Sequence, residues 1–184
     1  MVSKNLRVSR RYARALLSLA LENNILEEAY QDMILISHAF SYEKELKVVL
    51  KSPIIREVKK QNILRKLFGE KVHPLILHYI LIIARKRRAA LLDGISRQFI
   101  AEYKAHLNIE PVRVTTAFPI DDPMREKVLV VARGFTSKTI EFKEKVDPSI
   151  IGGFILDLGD RRYDASIKRK LNDLKKHLNV DNTA

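Results

Sequence analysis

A chain of 184 residues, 46% hydrophobic and 30% charged, can bury a core in one large domain or two small ones, and this balance excludes a disordered polymer. It contains no cysteine, which removes disulfides, thiolate metal sites and cysteine nucleophiles from consideration. The net charge of +12 is the compositional anomaly, and it invites comparison with nucleic-acid-binding proteins.

The first 105 or so residues read as helices with short breakers between them. Helix one is expected from Ser9 to Glu22, stopping at Asn23-Asn24. Helix two carries Leu26, Ala29, Tyr30, Met33, Ile34 and Phe40 near the i, i+3, i+4, i+7 template. A third, from Lys44 to Leu50, ends before Pro53, which cannot continue it. Ile63, Leu64, Leu67 and Phe68 form the stripe of a fourth, with Gly69 as its C-terminal cap. Pro74 opens a fifth that ends near Arg87, and Leu92, Ile95, Phe99 and Tyr103 mark a sixth.

After His106 the period changes. Val112, Val114 and Thr116 alternate with polar residues as a strand does. Asp122-Pro123 caps and opens a helix striped by Met124, Val128, Val131, Ala132 and Phe135. Ile140 and Phe142 lie on a second strand, Asp147-Pro148 marks a turn, and Ile150 to Leu158 makes a third strand. Asp164 is expected to cap a last helix whose Ile167, Leu171, Leu174 and Leu178 recur at heptad-like spacing. The expected fold class is therefore α+β, a six-helix bundle over residues 1–107 followed by a small β-α-β-β-α domain over 108–184.

Chemistry is hard to place on this pattern. His73 and His78 are five residues apart, on different faces of a helix, and no His or carboxylate pair has convincing metal-ligand spacing. Nucleophile elbows, phosphate-binding loops and dinucleotide fingerprints are missing, and Gly152-Gly153 sits within an apolar strand, where glycine signals a bulge or a close backbone approach. No catalytic residue, metal or cofactor is expected. No stretch reaches the roughly 18 apolar residues that span a bilayer, so any membrane association is expected to run through a partner.

The unusual features are surfaces. On helix one, a projection at about 100° per residue spreads apolar side chains over some two-thirds of the circumference, beyond what a core-facing stripe requires. Ala13, Leu17 and Ala20 form one sub-face, and Tyr12, Ala15 and Leu19 another. Helix five is apolar nearly all round from Leu75 to Ala84. Either both helices are buried on every side, or a groove between them receives an amphipathic helix. The seam of the last helix would ordinarily pack on its own sheet, leaving a basic face of Lys168, Arg169, Lys175 and Lys176.

The run Val146 to Phe154, then Gly159-Asp160, then Tyr163 to Ile167, closely resembles the C-terminal signature of the F-type ATP synthase delta subunits, the family of the mitochondrial oligomycin-sensitivity-conferring protein. Its elements here are Asp147, Pro148, Gly152, Gly153, Asp160, Asp164 and Ser166. Arg11-Tyr12-Ala13, Ala15-Leu16 and Ala20 resemble the family's opening helix, and Arg88, Leu91-Leu92, Ile95 and Phe99 its sixth. The resemblance implies a non-catalytic stator subunit at the cytoplasmic face of a bacterial membrane. Its helical domain would bind the N-terminal helices of the alpha subunits, and its C-terminal domain the distal end of the b-subunit stalk. It implies an alpha-binding groove of Tyr12, Ala15, Leu16 and Leu19 with Tyr79, Ile82 and Ile83. One departure stands out: the family often has glycine before the arginine that ends helix five, where this chain has Arg87. The competing reading is a nucleic-acid-binding module built on Arg85-Lys86-Arg87-Arg88, whose affinity would fall steeply with salt.

Overall fold

The computed structural model describes residues 2–181, with side chains over 5–176. Over the described residues the chain is α+β, with eight α-helices and a four-stranded sheet, and it divides into two compact units, one ending at His106 and the other beginning at Leu107.

The first unit holds α1 (Val2–Glu22), α2 (Leu26–Tyr42), α3 (Lys44–Lys51), α4 (Glu57–Phe68), α5 (Pro74–Arg85) and α6 (Leu92–His106), with a 3-10 turn over Ala89–Leu91. α1 starts well before Ser9, because nothing in the polar segment ahead of it breaks a helix. Asn24 ends it at φ 54°, a left-handed conformation that asparagine tolerates. α5 begins with Pro74 in its first turn, and the imidazole Nδ1 of His73 accepts the Leu75 N–H at 3.2 Å. Gly69 follows α4 in a right-handed conformation, so it closes that helix without the left-handed turn its identity suggests.

The core of this unit gathers one face from each helix: Ala13, Leu16 and Ala20; Met33, Ile36 and Phe40; Leu46 and Leu50; Leu64 and Phe68; Ile76, Ile80 and Ile83; Leu92, Ile95 and Phe99. α1 and α2 pack mainly on α6. A Cβ added at Gly94 of α6 would sit 2.7 Å from Ser9 Oγ, so glycine there lets α1 and α6 approach closely. Arg10 and Arg14 of α1 both donate to the Glu102 carboxylate of α6, the latter at 3.1 Å. Tyr30 of α2 stacks on Tyr103 of α6 at 3.8 Å between ring centroids.

The second unit holds β1 (Ile109–Thr116), α7 (Asp122–Arg133), β2 (Thr139–Val146), β3 (Phe154–Leu158), β4 (Arg161–Asp164) and α8 (Ile167–Asp181). The sheet order is β2-β1-β3-β4. β1 runs parallel to β2, from Ile109↔Thr139 to Thr116↔Val146, and antiparallel to β3, from Val112↔Leu158 to Thr116↔Phe154. Val112 and Val114, with Leu156 and Leu158, bury one sheet face against Val128 and Ala132 of α7. The side chain of Asp121, one residue earlier than expected, caps α7 by accepting the Met124 N–H at 2.9 Å.

The β-α-β-β-α order predicted for this unit requires two corrections. Ile150 to Leu158 is not one strand: Pro148–Ile150 is a 3-10 turn, Ile151 through Gly153 turn the chain, and pairing begins at Phe154. A fourth strand, β4, pairs with β3 from Ile155↔Asp164 to Leu158↔Arg161. Four residues of mostly charged sequence, Arg161-Arg162-Tyr163-Asp164, show no apolar alternation, so the strand rests on ladder hydrogen bonds and escapes pattern reading.

Candidate functional site

The surface singled out in the first unit lies on α1 and α5. Tyr79 of α5 donates its phenol to the backbone carbonyl of Tyr12 at 3.0 Å. Burial, helped by the neighbouring Tyr12, pushes the Tyr79 phenol well above its ordinary pKa, so it remains a donor. Arg88, just after α5, donates to the Tyr12 hydroxyl and sets its guanidinium carbon 5.7 Å from the centre of the Tyr12 ring. Tyr12 is thus clamped between α5 and the chain that follows it.

The seven residues proposed for this groove fall into two sets. Tyr12, Leu19 and Tyr79 are half-buried, and Ala15 and Ile82 are exposed, so these five present surface. Leu16 and Ile83 do not, being 0% and 2% exposed in the core. The periodicity explains the difference: Leu16 lies on the stripe of Ala13 and Ala20, and Ile83 on that of Ile76 and Ile80. Arg88 is the contact that sequence reasoning did not place here. The signal was present in the Arg85 to Arg88 run, but its charges invited a nucleic-acid-binding reading. The run does not form one helical basic face. Arg85 ends α5, Lys86 caps it, Arg87 turns left-handed at φ 59°, and Arg88 reaches Tyr12.

In the second unit the signature residues form a clasp. Asp147 accepts the Ser149 N–H at 3.0 Å and starts the 3-10 turn with Pro148, and hydrogen bonding from the Ser149 side chain, then from its backbone, holds the Asp147 carboxyl below the ordinary range. Gly153 has φ 75°, and a Cβ there would lie 2.4 Å from the Ala165 carbonyl oxygen. Gly152 accepts the Ile167 N–H at 3.0 Å, and Phe154 the Ala165 N–H at 2.9 Å. The two glycines therefore let the segment before β3 touch the backbone that opens α8.

Ser166, not Asp164, caps α8, its Oγ accepting the Arg169 N–H at 3.2 Å, while Asp164 accepts the Ser166 N–H at 3.0 Å. Burial works against the charge on Asp164, but the bonds to Ser166, with Arg169 and Arg162 nearby, outweigh it and hold the carboxyl low. Asp160 lies exposed in the turn between β3 and β4. The clasp orients α8, whose seam faces outward instead of packing on the sheet: Ile167, Leu171 and Leu174 are 43%, 44% and 59% exposed. The sheet face beyond α7 offers α8 only a small apolar cluster, Ala117, Ile150 and Ile155. The side chain of Leu178 lies outside the described residues.

Among the described residues, no group of three or more His, Asp or Glu could hold a metal ion, and no helix is long and apolar enough to cross a membrane.

Comparison with known proteins converges on one family. The family model described as "ATP synthase delta (OSCP) subunit" matches residues 8–178. Curated relatives named ATP synthase subunit delta include that of Cytophaga hutchinsonii, 37% identical over 172 residues and 94% of each chain. That of Amoebophilus asiaticus is 32% identical over 181 residues and 98% of each. A chain of the Toxoplasma gondii mitochondrial ATP synthase hexamer, solved by cryo-EM, shares the fold at a TM-score of 0.69 and 23% identity, over 92% of this chain and 96% of that one. With the family model and relatives of near full-length similarity agreeing, the chain belongs to the ATP synthase delta (OSCP) subunit family.

Proposed function

We propose that this chain ties the catalytic head of an F-type ATP synthase to its peripheral stalk through two surfaces, one on each unit. As a family member it is a structural, peripheral-stalk component of the synthase and not a catalytic subunit. In the finer reading, residues 1–107 act as a six-helix bundle whose α1–α5 face receives the N-terminal helices of the alpha subunits. Residues 108–184 receive the distal end of the b-subunit stalk on the α8 seam. The chain then works at the cytoplasmic face of a bacterial membrane, held there by the complex. Holding the head against rotor torque requires stiff anchors, and both surfaces are carried on helices whose opposite faces or starts are pinned by the contacts above.

The observation that carries this reading is the half-exposed apolar strip of Tyr12, Leu19, Tyr79 and Ile82, locked in register by the bond from Tyr79 to the Tyr12 carbonyl. Such a strip suits the apolar face of an amphipathic helix. Calorimetric titration of the chain with a peptide from the N-terminus of the cognate alpha subunit tests it. Saturable one-to-one binding is expected, reduced at least about tenfold by Ile82→Asp, since desolvating a charge against an apolar partner costs well over 1.4 kcal/mol. Unchanged binding in a folded Ile82→Asp variant would remove the groove from the proposal.

A further inference from the structure

The turn that ends α5 fixes the backbone of one exposed residue, Arg88, from both sides. The Arg87 N–H donates to the Ala84 carbonyl at 2.9 Å and the Arg88 N–H to the Ile83 carbonyl at 3.1 Å. These are the paired bonds of a Schellman ending, with Arg87 at its left-handed position, φ 59°. Beyond it, the Leu91 N–H donates to the Arg88 carbonyl at 2.9 Å, and Ala89 is buried in the core. Arg88 is therefore held between one helix ending and the start of the next turn.

From that fixed point its side chain reaches α1. It donates to the Tyr12 hydroxyl, and its guanidinium carbon lies 5.7 Å from the ring centre, so one planar group holds the phenol at its tip and at its face. The bond from Tyr79 does a different job: at 3.0 Å it goes to the Tyr12 carbonyl, which sets the α1–α5 register but does not touch the ring. Tyr12 itself is half-buried at the rim of the groove. A side chain at such a rim has more than one staggered rotamer open to it unless a contact selects one. A binding face whose side chains must be ordered on contact loses affinity to that ordering.

We propose that Arg88 is a positioning residue for helix docking: it holds the Tyr12 ring as a preformed wall of the α1–α5 groove and does not itself meet the docked helix. This role rests on the groove reading above and adds to it how the groove is kept ready. The partner's contacts fall on the apolar strip, and Arg88 acts on them only through Tyr12. Lysine would keep the charge but not the planar fork, so charge alone does not restore the clamp.

The test has one arm on the free chain and one on the complex. With ring-labelled tyrosine, Arg88→Met should move the Tyr12 ring signals in the NMR spectrum of the full chain. Those of Tyr42, 80% exposed at the end of α2, should stay in place. In calorimetric titration with the alpha N-terminal peptide, Arg88→Met should bind about threefold to tenfold more weakly, the cost of ordering one side chain on contact. Arg88→Lys should regain no more than about half of that loss. In a Tyr12→Leu background, Arg88→Met should change affinity by less than about twofold, because no ring remains for the arginine to hold. An unmoved Tyr12 ring, unchanged affinity in Arg88→Met, full recovery in Arg88→Lys, or an equal loss in the Tyr12→Leu background would each overturn the proposal, the last by placing Arg88 on the partner. A parent chain that binds no peptide would overturn the groove reading first, and this role with it.

Discussion

Leu16 of α1 and Leu174 of α8 are both seam residues of amphipathic helices, yet the first is 0% exposed and the second 59%. The difference lies in what each unit can lay against a helix. In the first unit α1 meets α6 and the apolar faces of its neighbours, and its core runs through every helix. In the second, α7 takes the principal sheet face, and the cluster of Ala117, Ile150 and Ile155 is too small to cover another seam. An amphipathic helix is thus buried by its neighbours or kept for a partner, and its own sequence does not say which.

The sharpest way to break this comparison is to delete core from the first unit. Phe99→Ala, at a fully buried position, should destabilise by about 3–5 kcal/mol in denaturant unfolding. A loss below about 1 kcal/mol would mean that this core is loosely packed. Gly153→Val comes next, at about 2–4 kcal/mol from left-handed strain and overpacking against the Ala165 carbonyl. Its damage should be confined to the second unit. Amide exchange should rise in β3, β4 and the start of α8 while α1 to α6 keep their protection, and equal loss in both units would contradict their independence.

Leu174→Ser sharpens the comparison from the other side. On an exposed seam it should change stability by no more than about 0.5 kcal/mol, against about 2–5 kcal/mol for Leu16→Ala in the core. A large loss for Leu174→Ser would place the α8 seam inside the fold.

The smallest effect is in acid. Burial raises the pKa of Glu102, but hydrogen bonds from Arg10 and Arg14 outweigh it and hold the carboxyl low. A depressed folded pKa gives a contribution that is present above the unfolded value, near 4, and fades as pH falls through the folded one. Asp32, pushed up by burial, acts in the opposite sense: its ionised form disfavours folding, and that cost disappears on acidification. Glu102→Gln should therefore be less stable than the parent at neutral pH and lose less stability below about pH 4. Parallel pH profiles for the two would show that the α1–α6 ion pairs add nothing.

Much of the fold was legible because its signals are local. The stripes of α2, α4 and α6, the proline starts of α5 and α7, and the alternation of β1 and β2 each follow from residues a few positions apart. The signature run likewise marked the clasp, and its glycine pair carried the expectation of close backbone approach that Gly153 meets at Ala165. β4 was not legible, since it pairs with β3 over four residues that carry no apolar alternation of their own.

By itself the sequence determined the fold class, most element positions, the family, and a helix one with more apolar surface than a core needs. Tertiary structure decided which residues that excess leaves outside. It sent Leu16 and Ile83 inward, kept Tyr12 and Ile82 at the surface, moved Arg88 onto Tyr12, and turned the α8 seam outward. Periodicity sorts side chains around one helix axis; which side of that axis is covered depends on the neighbours that the rest of the chain supplies.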